Sequence, residues 1–360
     1  MFLKIYQKFI IKEFLMITLK TTFVFLSLII IMSVFDELSF FSQSNASLYL
    51  PVILVLMSSL SFLYIIFPFI FLISAQFFFI KILDSNELNA FKNYGLSNNK
   101  ILSIIALTSF FAGIIIISVF YNVAAILKFK YLDLKNEYTT DNKYLASVTE
   151  NGLWIKDDNG LDVYFINAER VSTNKLHNVD ILIFDRNFKL DRSIFAIEAD
   201  ISNYKWLMSE VIIMRQNGRK EVESNYSIIS NFNYIKINNL YSDLSALNIY
   251  ELMKTRKDYK NINYSVTEID IYIKRIFSYP FFLTIMTIFS SIIMLNIKHQ
   301  KPKIFYAVGG ILMSVLIYYM NFFFGALGKN EQIPILLSVW LPIFLLSITS
   351  LIGTIRLNEK

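Results

Sequence analysis

The chain has 360 residues, of which 55% are hydrophobic and 17% charged, with a mean hydropathy of +0.50. That balance excludes an ordinary soluble domain, in which about a quarter of residues are charged. The absence of cysteine excludes disulfides, iron–sulfur clusters and thiolate zinc sites, and the net charge of +6 sits largely in loops, where it signals membrane topology rather than nucleic acid.

Taken in chain order, six apolar runs are long enough to cross a bilayer, which takes about 20 residues. They cover roughly 14–35, 50–80, 100–127, 272–296, 304–325 and 335–353. The first leads into further spans and lacks a small-residue cleavage site, so it reads as a span and not as a signal peptide. Lys4, Lys8 and Lys12 precede span one, Lys81, Lys92 and Lys100 lie between spans two and three, Lys298, Lys301 and Lys303 lie between spans four and five, and Arg356 and Lys360 follow span six. The short loops on the other side, 36–49 and 326–334, hold only Lys329 between them. The positive-inside rule then puts both termini in the cytoplasm. The sequence divides into 1–127 with three spans, 128–271 as one large outer insertion, and 272–360 with three more spans.

Between spans two and three, Leu88, Phe91 and Tyr94 recur every three residues while Asn86, Asn89, Lys92 and Asn93 fill the other side. This predicts a short amphipathic helix over about 84–95, ended by Gly95 as a left-handed cap, with Ser97 starting span three. About 11 residues reach only ~16 Å, too short to span. Two readings stand: a helix resting on lipid headgroups, or a coupling helix docked on a cytoplasmic partner, with Glu87 in its first turn.

In the outer insertion, "LWIKDD", "DVYFINAERV", "VDILIFD" and "SEVIIMRQ" alternate apolar and polar residues between turn clusters. An all-β sandwich or jelly roll is expected. Asp157 and Asp158 precede Asn159–Gly160 and read as turn residues rather than catalytic carboxylates. A helix is expected over 242–254, capped by Ser242 or Asp243, and Ser265 with Glu268 forms a capping-box pattern that opens a helix running into span four. His177 and His299 are far apart and make no metal site. No Gly-x4-Gly-Lys-Ser/Thr loop, Gly-x-Ser-x-Gly elbow or His-Glu-x-x-His pair occurs, so neither an enzyme nor a bound cofactor is expected.

Six spans, a β insertion after the third, and "SNELNAFKNYGLSNNKI" (85–101) together resemble the LptF/LptG permeases of the lipopolysaccharide exporter. "NGLWIKDDNGLDVYFINAERV" (151–171), "KRIFSYPFFLTIMTIFS" (274–290) and "EQIPILLSVWLPIFLLSI" (331–348) are similar to the LptG branch more than to LptF. Two departures are Asn86 in the position of a commoner serine and an extra Tyr279 between the basic pair and Pro280. The resemblance covers essentially the whole chain. It implies a polytopic α-helical protein of the Gram-negative inner membrane with a periplasmic β-jellyroll between helices three and four. It also implies an LptF-like permease partner, an LptB-like ATPase dimer that supplies the energy, and LptC- and LptA-like proteins that receive lipopolysaccharide. Membrane lipids surround it, and no nucleic acid is involved. The short helix would then sit in the ATPase groove, with Glu87 as the polar contact, Leu88, Phe91 and Tyr94 as the packed face, and Ala90 and Gly95 in the same contact stretch.

A phosphorylated glycolipid prefers cations at the outer headgroup level. Lys128 and Lys130 end span three, where a helix C-terminus favours them and interfacial anchoring explains them. Lys274 and Arg275 begin span four, where the dipole opposes them; substrate contact and anchoring both remain open, and Arg suits bidentate phosphate binding better. Lys20 lies inside span one, either in a functional role or snorkelling to the near interface. Apolar candidates for a lateral gate, by family resemblance, are Phe23, Phe25, Ile29, Tyr318, Phe322 and Phe323. Gly309 and Gly310 permit close helix approach in span five. A four-span exporter permease, with its outer domain after the first span, fits the hydropathy poorly. A membrane-anchored enzyme would need a polar catalytic constellation in 130–265, where none is evident, and a scaffold would leave the capped cytoplasmic helix unexplained.

Overall fold

The computed structural model describes residues 4–41, 49–136, 153–158, 162–172, 174–185, 189–215, 219–234, 237, 243–261, 265–296 and 303–358. The chain forms two compact units, residues 1–128 with 267–360, and residues 129–266.

The first unit is a helical bundle. Among the described residues its six long helices are α1 (Ile5–Phe41), α2 (Leu50–Asp84), a third built from α4 (Asn98–Ile115), a π-helical segment (Ile116–Tyr121) and α5 (Asn122–Asn136), then α7 (Thr267–Leu295), α8 (Lys303–Lys329) and α9 (Ile335–Asn358). All six are long and apolar enough to cross a membrane. Most run past the apolar stretches that announce them. Hydropathy sees only the part that lipid requires, whereas the backbone keeps its hydrogen bonds by staying helical into the polar ends. The short α3 (Glu87–Asn93) lies between α2 and α4.

The most deeply buried of the six is α7, which packs against α2, α4, α8 and α9. Lipid tails give no hydrophobic drive between helices, so small residues and polar side chains carry the contacts. Ser109 Oγ and Thr287 Oγ1 hydrogen-bond at 2.9 Å between α4 and α7, and Ser290 Oγ donates to the Leu72 carbonyl of α2 at 2.7 Å. Gln76, itself buried, donates from α2 to the Ala307 carbonyl of α8 at 3.2 Å. Gly310 makes that possible, since a Cβ there would stand 1.9 Å from the Gln76 Nε2, while Gly309 faces open space.

Among the described residues, the second unit holds six strands: β1 (Leu153–Asp158), β2 (Val163–Ser172), β3 (Lys175–Phe184), β4 (Leu190–Asp200), β5 (Lys205–Arg215) and β6 (Lys220–Ile229). They pair antiparallel, among the described residues, in the order β1-β2-β3-β4-β5-β6, each strand beside its neighbour in sequence. One face forms a buried apolar core, as the sheet folds over. Burial alternation slips by one residue at one row of three neighbouring strands, at Asn178, Ile197 and Glu210. Asn178 and Glu210 have left-handed backbone there, φ 51° and 53°.

The two edges of the folded sheet are clasped together. Asp157 of β1, fully buried, accepts from Ser230 Oγ at 2.7 Å, from the Asn231 N–H at 3.0 Å and from Asn231 Nδ2 at 2.8 Å, just beyond β6. Flat, those edges would lie about 24 Å apart at ~4.8 Å per strand. Asp157 is therefore a clasp inside a strand, not the turn residue its neighbours suggested. Trp206, also fully buried, donates Nε1–H to the Phe232 carbonyl at 2.7 Å and holds the returning chain under the sheet. On the outer face, Lys175 bonds Glu198 at 2.8 Å, which holds the Glu198 carboxyl below its ordinary range and raises Lys175; both are exposed, so the pair adds little to stability.

The expected helix over 242–254 begins later than its apolar spacing suggested. Asp243 caps only a 3-10 turn (Leu244–Ala246), and α6 (Ile249–Asn261) opens on a reciprocal capping box, with the Glu251 N–H donating to Asn248 Oδ1 and the Asn248 N–H to Glu251 Oε2, both at 2.9 Å.

Candidate functional site

The connection from α2 to α3 is two residues long, and Asn86 makes the turn in the left-handed conformation at φ 56°. A Schellman motif ends α3. The Gly95 N–H reaches the Lys92 carbonyl at 2.9 Å, and the Leu96 N–H reaches the Phe91 carbonyl at 3.0 Å. Gly95 has φ 79°, a conformation that side chains resist. Ser97 then caps α4, its Oγ accepting from the Lys100 N–H at 3.4 Å. Helix, cap and next helix thus follow one another with almost no loose chain.

The apolar stripe of α3 divides. Leu88 is buried in the bundle core, and Phe91 packs against that core, with its ring 6.0 Å from Phe9 of α1. Tyr94 is 86% exposed, and Ala90 and Gly95 are exposed beside it. Leu88, Phe91 and Tyr94 therefore do not form one outward face: two of them bolt α3 to the protein's own helices. Glu87 is half-buried, with Oε2 out of solvent and without a hydrogen-bond partner among the described residues. An ion pair between Glu13 and Lys81 ties α1 to the end of α2 next to it. The sequence pattern did not single out that pair, because its members are 68 residues apart.

At the opposite end of the bundle, Arg275 on α7 is brought against α8. Its Nη2 donates to the Asn321 carbonyl at 3.4 Å. Gly325 leaves the room for it, since a Cβ there would sit 1.6 Å from Nη2. Tyr318, Asn321 and Gly325 share one helical face, so Arg275 lies beside a notch with an aromatic wall. The sequence pattern did not single out Gly325, although a glycine one turn beyond Asn321 permits close approach, and only α7 shows what approaches. Lys274, the residue before it, is half-buried and has no partner among the described residues.

The other predicted contacts separate. Lys128 is half-buried with Nζ 5.5 Å from the Phe62 ring centroid, and Lys130 is exposed. Lys20 is exposed on α1 without a partner among the described residues. Of the lateral-gate candidates, Phe23, Tyr318, Phe322 and Phe323 are more than half exposed, whereas Ile29 is buried in the core and Phe25 packs against it. At the same end as Arg275, Lys329 is paired with Glu268, and Thr267 donates to Glu331 at 2.9 Å. No cluster of metal-binding side chains occurs among the described residues.

The family model for the lipopolysaccharide export system permease LptF/LptG matches residues 8–356. No individual curated protein matches the chain.

Proposed function

The chain belongs to the LptF/LptG permease family, an integral inner-membrane transport family rather than an enzyme family, and from that premise we propose that it is the LptG-type permease subunit of an ABC transporter. In this reading it pairs with an LptF-like permease on an LptB-like ATPase dimer. ATP hydrolysis there drives extraction of lipopolysaccharide from the outer leaflet, and the β unit passes it toward LptC- and LptA-like proteins. Both termini and α3 are cytoplasmic and the β unit is periplasmic. That orientation is supported by lysines 4, 8, 12, 81, 92 and 100 at the α3 end, whereas the short loops at the other end, 36–49 and 326–334, hold only Lys329, which Glu268 neutralises.

The observation that carries the reading is the geometry of α3. It is bolted inward through Leu88 and Phe91 and presents Ala90, Tyr94 and Gly95 outward, so a partner pushing on that surface moves α1, α2 and α4 with it. An interfacial lipid helix would turn its apolar residues to the bilayer instead. Tyr94→Asp is expected to cut recovery of the copurifying ATPase by at least about tenfold, the loss of ~1.4 kcal/mol at an exposed aromatic anchor. Recovery of the second six-span protein should stay unchanged. Undiminished ATPase recovery overturns the coupling role.

Arg275 is the preferred phosphate contact, with Lys274 subordinate, because a guanidinium can hold a phosphate bidentately while keeping its stacking surface free. A photo-crosslinking residue at 275 in the assembled complex is expected to capture lipopolysaccharide, and at 274 less. No capture at either position removes both from the substrate path.

A further inference from the structure

Pro68 sits inside α2 and has no N–H, so the carbonyl four residues earlier, that of Tyr64, has no donor in its own helix. In a span, water does not make up such a loss. The donor comes from another helix: the Tyr279 hydroxyl of α7 bonds the Tyr64 carbonyl. Tyr279 immediately precedes Pro280, which opens the same kind of gap in α7. Pro280 in turn is a point where α7 and α4 approach closely, since a Cβ on Gly113 would stand 2.8 Å from the Pro280 Cα. Three residues beyond Gly113 the third span widens into its π-helical segment, whose last residue is Tyr121.

The three tyrosines meet. Tyr64 and Tyr279 stack with ring centroids 4.6 Å apart and planes 16° from parallel, and Tyr64 and Tyr121 lie 5.1 Å apart. Asn122 Nδ2 donates to the Ser118 carbonyl at 2.8 Å within the widened turn. Prolines and π-turns are the usual causes of helix bending. Here three helices carry their irregularities at one level, and one aromatic stack joins them. Tyr64 lies about 21 Å along α2 from Leu50 and about 30 Å from Asp84, at ~1.5 Å per residue. The level therefore divides the bundle into a half that carries α3 and a half that does not.

We infer that this layer is a latched hinge. The halves of α2 and α7 remote from α3 separate about the Pro68–Pro280–π-segment level, and the Tyr279 hydroxyl on the Tyr64 carbonyl holds them closed. The half with α3 stays rigid, because Phe78, Phe79, Ile82, Leu88 and Ile101 are fully packed there. The hinge lets one end of the bundle open while the other transmits force, and its geometry can be measured whether or not the permease reading holds.

The chain has no cysteine, so paired spin labels on introduced cysteines are unique. One pair is placed at exposed Ile53 of α2 and Leu336 of α9, at the end remote from α3; the other at exposed Phe77 and Ile355, at the α3 end. Distances are read by pulsed electron–electron double resonance on the full chain in lipid nanodiscs. Tyr279→Phe keeps the ring and removes the latch. It is expected to broaden the 53–336 distribution toward longer distances and leave 77–355 unchanged. Adding Pro68→Ala returns an N–H to the Tyr64 carbonyl and is expected to restore the narrow distribution. An unchanged 53–336 distribution overturns the hinge, as does equal broadening of both pairs or a broadening that persists with Pro68→Ala.

Discussion

Asp157→Ala is expected to weaken the β unit by about 3–5 kcal/mol, because it deletes a fully buried carboxylate and strands the donors that meet it. Ser230 Oγ–H, the Asn231 N–H and Asn231 Nδ2 all lose their acceptor together. The loss is also topological. These bonds close the two edges of a folded sheet, so the buried face from Leu153 to Ile228 opens along its seam. Asp157→Asn keeps the volume but presents a donor where donors already point, and is expected to cost less, about 1–3 kcal/mol. Pulse proteolysis of the full chain in mild detergent checks the order. Cleavage within 153–237 should rise from wild type to Asn to Ala, and equal cleavage in all three would show that the sheet closes without the clasp.

Gly113→Val is expected to destabilise the helical bundle by about 3 kcal/mol, at the upper range for overpacking. The added Cβ would lie 2.8 Å from the Pro280 Cα and 3.0 Å from its Cβ, and neither belongs to a flexible side chain that can swing away. Either α4 and α7 part, breaking the Ser109–Thr287 bond, or the hinge level deforms. Gly309→Ala makes the matching control. It meets nothing within 4 Å and replaces a poor helix former, so its effect should stay within about 1 kcal/mol and favour the fold. Thermal inactivation of the detergent-solubilised chain separates the two. A Gly113→Val protein as stable as wild type would mean that the α4–α7 crossing is looser than its geometry indicates.

Both sites contrast with what sequence patterns convey. The six spans, the α3 cap at Gly95 and the Ser97 start of α4 were legible because each rests on local chemistry: apolar length, a left-handed glycine, a hydroxyl aimed at its own helix. Asp157 was misread because its nearest neighbours, Asp158, Asn159 and Gly160, are turn formers, while its bonding partners lie more than seventy residues on. The pairing order of the strands was not legible for a related reason. Alternation marks a strand but not the order in which strands pair, and the slips at Asn178, Ile197 and Glu210 that fold the meander are single-residue events within otherwise regular strands.

By itself, then, the sequence determined that this is a six-span membrane protein with a β insertion, a short capped helix between spans two and three, and the motifs of its family, since backbone hydrogen bonding in lipid and turn chemistry act over a few residues at a time. Tertiary structure alone decided which way each side chain is used. It turned Leu88 and Phe91 inward and left Tyr94 outside, set Arg275 against Gly325, buried Ile29, and placed the Tyr279 hydroxyl on the carbonyl that Pro68 leaves open. Those outcomes depend on which helix face meets which neighbour. An apolar or polar residue in lipid is compatible with either side of a helix, and only the packing of one helix against another removes the choice.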